Sequence, residues 1–219
     1  MEEFVVYGIP GSPFVRSALV TLEEKGARYG FSAVAPSSLK TPEHLLRHPF
    51  GRIPVLEHGP FRVYETQAIV RYVDRVLAKP PLTPVIPQTA ARMDQLLNVN
   101  DWYLFQGVAG VIGFQRIVGP RLMGLEPDED AIVAAMPKAH TVFDVLARQL
   151  GENSFFVGES FSLADAALAP QLELLSETPE WGALTARHEN LRAWMDRMIA
   201  RPSMIATTWQ RVEGMAKAA

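Results

Sequence analysis

The chain has 219 residues, 48% of them hydrophobic, and its 24 acidic and 21 basic residues leave a net charge of −3. This is enough material for one large or two modest buried cores, and charges mixed along the chain rather than gathered into a basic stripe give no support to a nucleic-acid partner. Cysteine is absent, which removes disulfides, thiolate metal sites and cysteine nucleophiles together.

The opening residues MEEFVVYGIPG lack the basic and then apolar pattern of a secretory leader, and no apolar run reaches membrane-spanning length. A cytoplasmic protein with no membrane partner is expected. Glu3 to Tyr7 is a β-branched and aromatic run, broken by Gly8-Ile9-Pro10-Gly11, and reads as strand then turn. Ser12-Pro13 is a helix-start signal; Phe14, Ala18, Leu19 and Leu22 follow at helical spacing until Gly26. Tyr29 to Val34 reads as a second strand, making a strand-helix-strand unit with a right-handed crossover. A short helix is expected around Pro42 to Arg47. From Phe50 to Tyr72 the chain offers an apolar run after Ile53-Pro54, a turn at Gly59-Pro60, a second run from Phe61 to Tyr64, and a helix opened by Glu65-Thr66. Ala68, Ile69, Tyr72, Val73, Val76 and Leu77 mark that helix's apolar face.

Pro80, Pro81, Pro84 and Pro87 then interrupt the chain within Lys79 to Gln88, a stretch that cannot continue a helix and reads as a stiff linker. Beyond it the patterns are helical: Ala91 to Val118, Asp128 to Leu150, Leu163 to Leu175, and Glu189 to Ala200, stopped by Arg201-Pro202. Ser162, with Asp165 three residues on, forms a capping-box signature. The domains drawn from this are 1–79, a linker at 80–88, and an all-helical 89–219.

Several residues have both a structural and a chemical reading. Ser12 is first an N-cap, but a capping hydroxyl keeps its own proton to donate, and a helix N-terminus favours negative charge. No His or Asp stands at a spacing that would make it a nucleophile. Tyr7, near the same turn, is the rival donor or a packed strand residue. Ile53-Pro54 either marks an edge or, if cis, offers the Ile53 backbone to an extended peptide; the sequence leaves the isomer open. Thr66 reads as a helix cap, yet a cap position also exposes amides to a carboxylate, while Glu65 is placed to accept from an amine. Lys40 and Arg52 supply positive charge nearby. His44 and His48 lie four apart with no third ligand, so no metal site is expected. Gly107, Gly110 and Gly113 suit close helix packing better than dinucleotide binding. Trp194, Met195 and Met198 read as core.

Taken in order, VYGIPGSPFVR, FGRIPVLEHG, YETQAIVRY, the proline-rich linker and FSLAD resemble a cytosolic glutathione transferase over essentially the whole chain, of the serine-using, phi/theta-like bacterial type. The resemblance implies an α/β plus all-α fold: a thioredoxin-like N-terminal domain with a mixed four-stranded sheet, and a C-terminal helical bundle contributing the electrophile pocket. It implies Ser12 as the residue that stabilises the thiolate, with Lys40, Arg52, Ile53, Pro54, Glu65 and Thr66 holding glutathione. Leu39 departs from a histidine common beside the lysine in the phi group. Ile9, Phe14, Tyr103, Phe105 and Phe114, with Tyr7, are the candidate lining of a pocket for a small hydrophobic electrophile. Glutathione is expected as co-substrate with no permanently bound cofactor, in a homodimer. The other readings are a glutathione-dependent isomerase or dehalogenase, or a non-catalytic binding or regulatory protein on the same fold.

Overall fold

The computed structural model describes residues 3–218. They form two compact units, one of Met1–Thr83 with Ala200–Ala219 and the other of Pro84–Ile199. The first contains the strands β1 (Phe4–Gly8), β2 (Tyr29–Ala33), β3 (Val55–His58) and β4 (Phe61–Tyr64), together with the helices α1 (Pro13–Glu24), α2 (Pro42–Arg47) and α3 (Thr66–Val76). The sheet order is β2-β1-β3-β4, with β1 parallel to β2 and antiparallel to β3, and β3 antiparallel to β4. This is the expected thioredoxin-like arrangement of a mixed four-stranded sheet.

Alternation along β1 decides which face is core. Phe4 and Val6 are buried while Val5 and Tyr7 are half-buried, because successive strand side chains point to opposite faces. Phe4, Val6, Phe31 and Leu56 pack with Val15, Ala18, Leu19 and Leu22 of α1 and Ile69 and Val73 of α3, each of the larger side chains contributing about 1.5–3 kcal/mol on burial. The start of the proline-rich stretch is held to this unit by one carboxylate. Asp74 accepts from Lys25 Nζ at 2.7 Å, from the Leu82 amide at 2.9 Å and from the Thr83 hydroxyl at 2.6 Å. Burial pushes this carboxyl up, but its hydrogen bonds, Lys25 first, outweigh that and hold it below the ordinary range.

The second unit is helical: α4 (Pro87–Val99), an interrupted helical segment (Asn100–Val118), α5 (Gly119–Met123), α6 (Glu129–Leu150), α7 (Leu163–Ser176), α8 (Trp181–Thr185) and α9 (Glu189–Ile199). The capping box opens α7 as expected. Ser162 Oγ accepts from the Ala164 amide at 3.2 Å, and Asp165 accepts from the Ser162 amide at 3.0 Å and hydroxyl at 2.8 Å. Asp165 also receives the Phe156 amide at 3.0 Å and Trp194 Nε1–H at 3.1 Å, so the cap is also a tie to α9. Trp194, Met195 and Met198 are core, at most 1% exposed.

Two expectations change. The single long helix from Ala91 to Val118 begins earlier, at Pro87, and is broken at Gln106 (ψ 106°) and Gly107 (φ 84°); only glycine takes the second angle freely, and Lys138 Nζ donates to the Gln106 carbonyl that the break leaves over. Gly113 does permit close packing, since a Cβ there would stand 2.7 Å from Leu174 Cδ2 of α7. The chain from Ala200 onward, assigned by sequence to the helical domain, belongs instead to the first unit. It forms α10 (Pro202–Ala206) and α11 (Trp209–Ala218), and is joined to α1 by Arg201, whose Nε and Nη2 donate to the two carboxylate oxygens of Glu24 at 2.6 and 2.7 Å. Val212 is part of the sheet-and-helix core. No helix among the described residues is long and apolar enough to cross a membrane.

Candidate functional site

Strand register brings most of the candidate residues to one end of the sheet. Val55 pairs with Tyr7 on one side and with Tyr64 on the other. One step further along the same rungs, Pro54 stands opposite the end of β1 at Gly8 and the residue after β4, Glu65. β2 ends at this edge too, where the Val34 amide donates to Gly8 O at 2.8 Å, and Lys40 follows in the loop. Ser12 lies four residues past Gly8, after the turn closed by its own amide donating to Ile9 O at 3.1 Å.

Ser12 occupies the N-cap position of α1 with extended backbone angles, φ −61° and ψ 123°, and Pro13 follows as the first helical residue. Among the described residues no helix amide donates to its side chain, so the ordinary capping explanation of this serine does not hold. Ser12 is half-buried and stands where the first-turn amides of a fully formed helix have no intrahelical acceptor. Such a position favours an anion.

Tyr7, the rival donor, is otherwise engaged. Its hydroxyl donates to Glu57 Oε2 at 2.8 Å, and the Arg47 guanidinium lies 4.8 Å from its ring centre. Burial, the hydrogen bond to Glu57 and that carboxylate's charge all raise the phenol above its usual range. Strand alternation explains why: Tyr7 points to the face opposite Phe4 and Val6, away from the core that carries α1. A phenol whose proton is given to a carboxylate is poorly suited to hold a thiolate, and its place among pocket-lining residues loses support for the same reason.

The Ile53–Pro54 peptide bond is cis. Ile53 is half-buried and Pro54 buried. The residues before it are held by two side chains: Lys40 Nζ donates to Phe50 O at 3.1 Å, and His44 Nε2 lies 2.9 Å from Arg52 O, a contact in which the ring nitrogen must carry the proton. Sequence reasoning weighed His44 only as half of a metal pair and missed this role; the i,i+4 spacing with His48 carried no sign of it. Lys40 and Arg52 are exposed, leaving positive charge at the rim.

The cap of α3 falls one residue earlier than expected. Thr66 is the first residue of α3 and is buried, and Glu65 is the exposed N-cap. Glu65 has φ 70°, the one positive φ recorded for a non-glycine residue among those described, a conformation costing about 1–3 kcal/mol and found where surrounding structure over-determines it. Of the candidate pocket residues, Ile9 and Phe14 are half-buried in the first unit; in the second, Tyr103 is 57% exposed and Phe105 and Phe114 are half-buried.

The model of the glutathione S-transferase N-terminal domain matches residues 2–75, and that of the glutathione S-transferase C-terminal domain residues 105–202. Glutathione S-transferase 3 of Zea mays is 32% identical over 94% of both chains. Among solved structures, glutathione transferase F2 from Populus trichocarpa superposes with a TM-score of 0.83 at 29% identity, covering 99% of this chain and 100% of that one. A glutathione S-transferase-I bound with lactoylglutathione gives 0.81 at 26% identity, covering 99% and 100%.

Proposed function

Since this chain belongs to the glutathione S-transferase family, we propose that it is a glutathione transferase of the serine-using type related to the plant phi group, in which Ser12 stabilises the thiolate of bound glutathione for attack on a small hydrophobic electrophile. One observation carries the assignment of Ser12: its hydroxyl sits at the start of α1 without a capping bond. Tyr7's proton, in contrast, is already given to Glu57.

Glutathione lies across the strand ends. The Ile53 backbone, before the cis proline, pairs with the cysteinyl residue in strand fashion. The γ-glutamyl carboxylate meets the amide and hydroxyl of Thr66 at the start of α3, where helix amides favour an anion, and Glu65 accepts from the α-amine. The strained Glu65 backbone is consistent with a side chain turned outward for that purpose. Lys40 and Arg52 face the glycyl carboxylate.

The chemical step asks little covalent work of the protein. The thiol proton leaves to solvent, Ser12 Oγ–H donates to the sulfur anion, and the N-terminus of α1 adds its positive end. Lowering a thiol from about 8.5 by about two units takes roughly 2.7 kcal/mol, within reach of one charge-assisted hydrogen bond plus a helix terminus. The thiolate then forms the carbon–sulfur bond, and the leaving group departs with the bonding electron pair. Rate comes from the thiolate fraction and from placement. Glutathione serves as co-substrate, with no permanently held cofactor, in a cytoplasmic homodimer.

The test is steady-state turnover of purified protein with glutathione and a panel of electrophiles, alongside calorimetric titration with glutathione. Saturable binding with turnover is expected. A protein that neither binds glutathione nor conjugates any electrophile refutes this function.

A further inference from the structure

The C-terminal segment runs along α1 toward the residue that carries the chemistry. At the far end of α1, Glu24 is gripped by Arg201 and by the Ser203 hydroxyl. Midway, Arg16 Nη2 donates to Met204 O at 3.3 Å. At the near end, the indole of Trp209, the first residue of α11, lies against Gly11. A Cβ built on Gly11 would stand 2.1 Å from both Cδ2 and Cε3 of that ring, so no side chain fits, and Gly11 has φ 82° besides. The ring's tilt is fixed by Nε1–H donating to Glu213 Oε1 at 2.7 Å, one helical turn on. Val212, fully buried in the first unit's core, anchors the helix from which the ring projects.

Gly11 immediately precedes Ser12 in a turn closed by Ser12 N–H donating to Ile9 O at 3.1 Å, beyond which Ser12 O accepts from the Arg16 amide of α1 at 2.9 Å. A turn with a left-handed glycine has little stiffness of its own. Without a capping bond, the Ser12 hydroxyl is not oriented by its helix either. We infer that Trp209 is a positioning residue: the indole plate on Gly11 sets the turn that aims Ser12 Oγ, so the C-terminal segment tunes the acidity of the bound thiol without touching it. This rests on the transferase reading above.

The test measures the pKa of the thiol in the protein–glutathione complex, from thiolate absorbance against pH and from the pH profile of kcat/KM. Wild type, Trp209→Leu, Trp209→Phe and Glu213→Leu are compared, with glutathione Kd measured in parallel. Trp209→Leu is expected to raise the bound-thiol pKa by about one unit, which from about 6.5 lowers the thiolate fraction, and with it kcat/KM for the electrophile at saturating glutathione, about threefold at pH 7 and about tenfold at pH 5.5, with glutathione Kd changed less than about twofold. Trp209→Phe keeps a flat plate and should recover most of the loss. Glu213→Leu should shift the pKa in the same direction by less. If Trp209→Leu does not fold, Glu213→Leu decides: a raised thiol pKa supports the brace and an unchanged one overturns it. A folded Trp209→Leu with the wild-type profile overturns the brace and leaves the transferase standing. Absence of any thiolate in the wild-type complex overturns both.

Discussion

Ser12 and Ser162 both stand one residue before a helix with extended backbone angles, and their hydroxyls are used differently. At α7 the third helical residue is Asp165, whose carboxylate receives Ser162's amide and hydroxyl while Ser162 Oγ receives the Ala164 amide. At α1 the corresponding residue is Val15, buried in the core, and the first helical residue is a proline with no amide proton. The same residue type in the same local position is a structural bolt in one unit and an available donor in the other. What separates them is the partner three residues on and what covers it: Asp165 is fully buried beneath Trp194, whereas Ser12 is half-exposed.

That contrast is open to direct attack. The largest effect is expected from Asp165→Ala, which leaves the amides of Phe156 and Ser162 and the Trp194 indole N–H without their acceptor. At about 1–3 kcal/mol per orphaned buried donor, a loss of at least about 3 kcal/mol should appear in denaturant unfolding, with kcat/KM of the remaining folded protein unchanged. Ser12→Ala should do the reverse. Rate near neutral pH should fall about tenfold or more, as the bound thiol returns toward its free value of about 8.5, while the unfolding midpoint stays put. A Ser12→Ala protein with full activity would erase the distinction between the two serines.

Ser162→Ala should cost about 1–2 kcal/mol of stability, the scale of a lost N-cap, with no change in the pH–rate profile. The smallest catalytic effect is expected from Tyr7→Phe. Because the Tyr7 proton goes to Glu57, its removal should leave the bound-thiol pKa near that of wild type. Its trace belongs to acid stability instead. Burial raises Glu57, but the hydrogen bonds from Tyr7 and Arg62 hold its carboxyl below the ordinary range. A depressed carboxyl contributes stability that is present above its unfolded value, about 4.3, and lost as pH falls through the folded one. Tyr7→Phe should therefore shallow the loss of stability in that acid window. A Tyr7→Phe enzyme that is inactive beside an active Ser12→Ala would reverse the roles assigned here.

Much of the architecture was legible from local chemistry. Apolar runs bounded by glycine or proline mark β1, β2 and β4 to within a residue and mark where β3 begins, because strand ends follow where backbone amides are lost or φ turns positive. Helical spacing marks α1, α3, α6, α7 and α9, because an amphipathic face must repeat near 3.6 residues to be buried. The capping box of α7 is a contact over three residues and is written in the sequence almost completely. The short helices α8, α10 and α11 left no comparable pattern.

The tertiary structure alone decided what depends on residues distant in the chain. Local spacing does not say that Tyr7 meets Glu57 fifty residues later, that His44 turns to the Arg52 carbonyl, or that Glu65 rather than Thr66 takes the strained N-cap. Nor does it say that the last residues return to α1 and lay Trp209 on Gly11. The sequence by itself determined which serines precede helices, because a helix start is a property of adjacent residues. Which of them keeps a hydroxyl to donate was settled only when the rest of the chain packed around each one, since a hydrogen bond is awarded to whichever partner the completed fold leaves within reach.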